Sequence, residues 1–347
     1  MNKKLLAPTL LVVTSLLFMQ CRKNKDEVPA TVVPKIIYTT GSQIIGNKDV
    51  ATVWKDSVAT TLTDGSFNAS GNSVFVSGSD VYVAGNENNA AGYRVAKLWK
   101  NGVATSLTNG TQEAYLYSVY VVGSDVYATG LESNSSGYYV AKVWKNGTAT
   151  ALSDGIINVT GRSVFVSGSD VYVAGTQYNA TNIWSAKLWK NGIATNLTDG
   201  SRNAEALSVF VSGADVYVAG YEANAVSGRS VAKLWKNGIA TSLTDGSRYA
   251  HGRSVFVVGS DVYLAGDEAN ATTGESEAKL WKNGTATVIS SIRSSSSSVF
   301  VSGSDVYVTG DERNAAGNSG GKLWKNGTAS ALSVSPIASS ANSVFVK

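Results

Sequence analysis

Ala96-Lys97-Leu98-Trp99-Lys100-Asn101-Gly102 decides the reading of this chain, because the stretch keeps returning. Its tryptophan recurs at Trp54, Trp99, Trp144, Trp189, Trp235, Trp281 and Trp324, at spacings of 45, 45, 45, 46, 46 and 43 residues. A fixed period in this range marks a repeat architecture, in which one supersecondary unit is stacked many times. A second motif keeps step with it. Ser-Val-Phe-Val starts at Ser73, Ser163, Ser208, Ser254, Ser298 and Ser343, and reads Ser118-Val119-Tyr120-Val121 in the remaining unit.

One unit predicts four strands. Ser73-Val74-Phe75-Val76 is β-branched and aromatic, Ser77-Gly78-Ser79-Asp80 is a turn, and Val81-Tyr82-Val83-Ala84 is a second strand. Polar residues 85–92 lead to a third strand at 95–100. Asn101-Gly102 then tolerates the positive φ of a type I′ hairpin turn, and residues 103–107 form the fourth strand. Four short strands per 40–50 residues is the blade of a β-propeller. With 16% charged residues, 35 glycines and 4 prolines, the composition suits strands joined by tight turns rather than a disordered chain. The net charge of +4 comes without a dense basic tract, which points away from nucleic acid.

The ends of the repeat predict how the ring closes. No Ser-Val-Phe-Val precedes Trp54; Ile36-Ile37-Tyr38-Thr39-Thr40-Gly41 aligns instead with residues 80–85, a second strand lacking its inner partner. Ser343-Val344-Phe345-Val346-Lys347 is a first strand with nothing after it. Joining the two removes both open edges. The expected fold is all-β, a seven-bladed propeller over residues 36–347 with four antiparallel strands per blade, closed by the C-terminal strand.

The amino terminus reads differently. Asn2-Lys3-Lys4 precedes an apolar run over residues 5–19, too short for a membrane span and right for a secretory signal. It stops at Cys21, the only cysteine, which therefore has no internal disulfide partner. The arrangement resembles a bacterial lipobox, with Gln20 where such boxes usually carry a small residue. Residues 1–20 are thus expected to be a lipoprotein signal peptide, and 21–35 a tether following a lipidated Cys21. Lys25-Asp26-Glu27 resembles the acidic export signal of Bacteroidota-type lipoproteins, and the repeat resembles propeller repeats with an Ala-Lys-x-Trp-Lys-Asn-Gly core in outer-membrane lipoproteins. The resemblance implies a lipid anchor in the outer membrane, at the cell surface or otherwise facing the periplasm. It implies no particular ligand.

A residue present in every blade is most simply there to build blades. Each repeat tryptophan can bury about 150–250 Å², or about 4–6 kcal/mol at roughly 25 cal/mol per Å², so these are expected in the core. Asp80 and its counterparts are expected as turn acceptors. Glu87 and its counterparts, replaced by Gln177 and Gln43 in two blades, are expected to serve hydrogen bonding rather than acid–base chemistry. Loops such as Gly310-Asp311-Glu312 lack the alternating oxygen ligands of a calcium loop, so no metal or cofactor is expected.

Function is expected where blades differ, on the face carrying the long connections. Candidate ligand contacts there are Arg202, Arg248, Arg253, Tyr249, Trp184, Tyr117 and Arg162, with the arginines placed in connections entering consecutive blades. Aromatic faces stack on sugar rings, and arginine offers forked donors to anions. The expected ligand is a glycan or an envelope or surface protein. The plainer alternative is a solvated rim whose arginines pair with neighbouring glutamates, in a structural scaffold. A glycosidase or lyase using Glu113, Glu205 and Tyr249 is the catalytic alternative. His251 is the only histidine, and local sequence assembles no Ser/His/Asp set around it.

Overall fold

The computed structural model describes residues 34–314, 317–333 and 338–347, and these residues form no helix. Cys21 and the expected signal and tether up to residue 33 lie outside the described residues. The compact body runs from Lys35 to Lys347. It consists of seven four-stranded antiparallel sheets. The second blade is typical, with strands Ala69–Ser77, Asp80–Asn88, Arg94–Lys100 and Val103–Ser106. The third to seventh blades begin at Ala114, Val159, Ala204, Ala250 and Ser294. The first blade joins Ile37–Ile45, Lys48–Lys55 and Val58–Thr61 to the last strand, Ser339–Val346, with Tyr38 opposite Phe345. The C-terminal strand therefore closes the ring.

The Lys-Asn-Gly end of the tryptophan motif clamps the start of the second strand. Asn101 and Gly102 take φ of 51° and 83°, the positive pair that a type I′ turn needs. Asn101 Nδ2 donates to Asp80 Oδ1, Asn101 Oδ1 accepts the Val81 amide, and Lys100 Nζ meets Asp80 Oδ2, each at 2.8 Å. The same set recurs at Asp125, Asp170, Asp215, Asp261 and Asp305. The glutamate that recurs later in the second strand pairs with the motif's first lysine, as Glu87 does with Lys97 at 3.2 Å. Where Gln177 replaces it, Lys187 turns to Asn196 instead.

Between blades the core is apolar. Every repeat tryptophan is at most 1% exposed and backs onto the preceding blade, as Trp99 does among Tyr38 and Ala51 of the first blade and Val74 and Val83 of its own. Trp54 closes the set against Tyr307 and Leu323 of the seventh. The first strands pack side by side around the axis. There each Ser-Val-Phe-Val serine accepts the valine amide of the next blade; Val119 N donates to Ser73 Oγ at 3.3 Å, and Val74 N to Ser343 Oγ at 3.2 Å. Phe75, Tyr120, Phe165, Phe210, Phe256, Phe300 and Phe345 form an unbroken collar with neighbouring centroids 4.6–5.0 Å apart. Interplanar angles of 44–55° bracket the one-seventh turn, about 51°, between blades of a seven-fold propeller.

The inner strands are longer than the sequence pattern predicts. Ala69–Ser77 and Asp80–Asn88 run past the expected four residues each, through the glycine expected to end the second strand. A β-bulge at Asn72 makes this possible. It pushes the Ser70 carbonyl so close to Gly85 that a Cβ there would lie 2.0 Å from that oxygen. Only glycine fits, which explains why it recurs in every blade.

Candidate functional site

The bulged residues are Asn72, Tyr117, Arg162, Leu207, Arg253, Ser297 and Asn342. An unpaired bulge residue is free of the sheet's pairing rules, and here its identity varies around the ring. Tyr117, Arg162 and Arg253, expected in connections, therefore lie inside inner strands at the loop-bearing mouth. Several bulged side chains reach the next blade. Asn342 Nδ2 donates to Gly71 O at 2.9 Å, and Asn72 Nδ2 to Leu116 O at 2.8 Å. Arg162 lies 4.6 Å from the Tyr117 ring centroid and 3.7 Å from Glu205.

One side of the mouth is aromatic. Tyr115 and Tyr117 stack at 5.8 Å with planes 8° apart, and Arg94 covers Tyr115 at 5.1 Å. Trp184 sits at the start of a third strand with its ring 5.6 Å from Tyr178. Burial, with the neighbouring Glu205 charge, pushes the Tyr221 phenol far up, so it remains a hydrogen-bond donor. Its ring meets His251 edge-on at 4.7 Å.

The other side is charged. Asp267 Oδ2 lies 2.9 Å from His251 Nδ1, and Asp267 Oδ1 accepts Arg253 Nε. Burial alone would raise the Asp267 carboxyl, but the His251 hydrogen bond and the Arg253 charge outweigh it and hold it below the usual range. Asp311 occupies the same repeat position one blade on. Its partner is the Ala341 amide at 3.0 Å, and burial wins over that bond and the charges of Arg253 and Arg313, pushing it up to about 6. Two aspartates in equivalent positions are thus driven apart by their surroundings. Beside Asp311 a cleft of about 430 Å³ is lined by Arg253, Arg293, Arg313, Glu275 and serines including Ser295.

His251 Nε2 also lies 3.0 Å from Ser230 Oγ. Ser230, His251 and Asp267 therefore follow the hydrogen-bond order of a nucleophile, base and orienting acid, a set that local sequence did not reveal. Ser230 is only 6% exposed within its strand, which restricts a substrate's approach to the hydroxyl.

The other candidates are placed as follows. Arg202 pairs with Glu222 at 3.3 Å. Arg248 meets Glu268 at 3.0 Å and the Ala269 carbonyl at 3.0 Å. Both thus make the rim pairings of the plainer alternative. Tyr249 stands 58% exposed beside Arg248. Glu113 is matched to Arg94 at 3.5 Å. Asp311 and Arg313 were not among the candidates. The available signal was the column after the second-strand glycine, which reads Asn86, Leu131, Thr176, Tyr221, Asp267, Asp311 and Ser42. Among the described residues, no cluster of three or more His, Cys, Asp or Glu is placed to hold a metal ion.

No protein-family profile matches the chain, and no curated protein matches it. Among solved structures it is similar to puromycin hydrolase, with a TM-score of 0.58 and 11% identity over 86% of this chain and 52% of that one. It is also similar to Pyrococcus horikoshii acylaminoacyl peptidase, with a TM-score of 0.52 and 13% identity over 88% and 51%. The chain spans about half the length of each. At such identities the likeness shows the propeller fold alone, since one fold hosts many functions.

Proposed function

We propose that this propeller is a non-catalytic cell-envelope recognition protein whose loop-bearing mouth binds a glycan. The observation behind this reading is a division of labour. Residues that recur from blade to blade are consumed by clamps, glutamate–lysine pairs and inter-blade cores, whereas side chains that differ between blades converge on one mouth. There Tyr178 and Trp184 offer ring faces for stacking, and Arg162 and Arg253 offer charged donors. Calorimetry of the soluble domain against neutral and acidic oligosaccharides tests this. Trp184→Ala should weaken a bound glycan about ten-fold, the equivalent of roughly 1.4 kcal/mol. Wild-type affinity in that variant would remove the aromatic side from the site.

In the same reading the protein is anchored in the outer membrane through lipid on Cys21, with the mouth free to meet ligand. Two or more acyl chains anchor stably where one does not. Fractionation of wild type and Cys21→Ala separates the possibilities; equal membrane association in both would discard the lipid anchor.

A hydrolase is the second reading, favoured by the hydrogen-bonded order Ser230–His251–Asp267. The similar structures carry hydrolase and peptidase names, which supply context only. A serine-directed fluorophosphonate probe decides. Labelling that disappears in Ser230→Ala would place catalysis ahead of binding.

A further inference from the structure

The cleft beside Asp311 is polar, open and about 430 Å³, within the range of roughly 300–1,000 Å³ for small-molecule sites. Two of its three arginines are already matched. Arg253 is held by Asp267, and Arg293 by Glu275. Arg313 is exposed, and among the described residues it makes no ion pair or side-chain hydrogen bond. Asp311, two residues before it on the same strand, is the carboxyl that faces it.

We propose that this cleft takes the carboxylate of an acidic sugar on Arg313, and that protonation of Asp311 strengthens the capture. The inference rests on the glycan reading and gives it a substrate class. A guanidinium grips a planar carboxylate through two parallel bonds. One unmatched cation suits a singly charged acid better than a phosphate, which would leave charge unmatched. Cleft serines, Ser295 among them, supply hydroxyls that can donate to or accept from sugar hydroxyls. While ionised, Asp311 competes for Arg313 and repels the incoming acid; once protonated it does neither and can itself donate a hydrogen bond.

The surroundings of Asp311 leave few other groups to titrate. Its paired neighbours, Ser295 on the strand before and Gly321 on the strand after, carry no charge. The C-terminal strand contributes the Ala341 amide. The preceding blade contributes the Arg253 guanidinium. Lys322 and Glu312, flanking the same sheet, satisfy each other at 3.1 Å. Asp267 and His251 lie one pairing further away, on the far side of Arg253. A His251→Gln arm therefore accompanies the test. Glu275, at the cleft wall, is held well below the usual carboxylate range by its hydrogen bond with Arg293.

The probes are a trisaccharide bearing a single uronic acid and its neutral counterpart, titrated calorimetrically at pH 5 and pH 7.5; a simple carboxylic acid stays ionised at both. The acidic sugar should bind wild type roughly ten-fold more tightly at pH 5, because Asp311 then carries its proton. Asp311→Asn, whose side-chain oxygen still accepts the Ala341 amide, should bind tightly at both pH values. His251→Gln should keep the wild-type dependence. Arg313→Ala should lose at least ten-fold at pH 5. Equal wild-type affinity at the two pH values, an Asp311→Asn variant that still follows pH, or wild-type binding by Arg313→Ala would each overturn the inference. In those cases a glycan that still responds to Trp184→Ala leaves the broader reading standing. If neither trisaccharide binds, the glycan reading falls, and this inference falls with it.

Discussion

Asn101 and Asp80 hold each other across the turn end of the second blade, Asn101 Nδ2 donating to Asp80 Oδ1 at 2.8 Å while Asn101 sits at φ 51°. Asparagine is there for two separable reasons, turn conformation and side-chain bridge. Asn101→Gly should keep the turn and lose the bridge. Asn101→Ala should lose both, adding about 1 kcal/mol of left-handed strain. Urea denaturation should therefore rank wild type above the glycine variant and the alanine variant last. Equal stability of the two variants would mean that the backbone conformation carries no weight.

Ring closure depends on the last strand. Deleting residues 343–347 removes Phe345 from between Phe75 and Phe300, and removes the Ser343 acceptor of the Val74 amide. It also exposes the edge of the first strand over residues 37–40. Each blade depends on both neighbours, so the melting temperature should fall far more than after a surface deletion of equal length. Calorimetry on the truncated domain checks this; an unchanged midpoint would refute it.

Lys279 should be the most costly of the repeat lysines to remove. It is 7% exposed and lies 3.3 Å from Glu268 and 3.4 Å from Glu277, each 6% exposed. Lys279→Ala would leave buried carboxylates short of a partner, a loss of about 3–5 kcal/mol. Lys97→Ala, at the same repeat position with more solvent around Glu87, should lose less than about 2 kcal/mol. Chemical denaturation of both variants makes the comparison.

Asp311 also sets a pH dependence of stability. Its folded carboxyl, at about 6, lies above the ordinary 3.8, so the native state holds the proton more tightly. Its ionisation therefore destabilises the fold progressively as pH rises from about 4 to 6. The gap corresponds to about 2–3 kcal/mol. Asp311→Asn should gain stability over wild type at pH 7.5 and little at pH 4, measured as the difference between two denaturation series. A pH-independent difference would show that Asp311 is not the titrating group.

The mouth was only partly legible in the sequence. Arg162 and Arg253 stood out because they break the repeat, yet reading them as connection residues missed the bulge that aims them across the ring. Asp267 and Asp311 look interchangeable in sequence, and their opposite electrostatics arise from partners drawn from different strands and, for Asp311, from the next blade.

Blade number, strand order and closure were determined by the sequence alone. They follow from local rules repeated seven times: alternation, turn chemistry, and a tryptophan too large to leave in water. Tertiary structure decided which odd residues meet. Ser230 reaches His251, Arg162 reaches Glu205 and Asp311 reaches Ala341 across separations of 21, 43 and 30 residues. Such meetings depend on the bulge and on the one-seventh rotation between blades, which place neighbours by geometry rather than by local sequence.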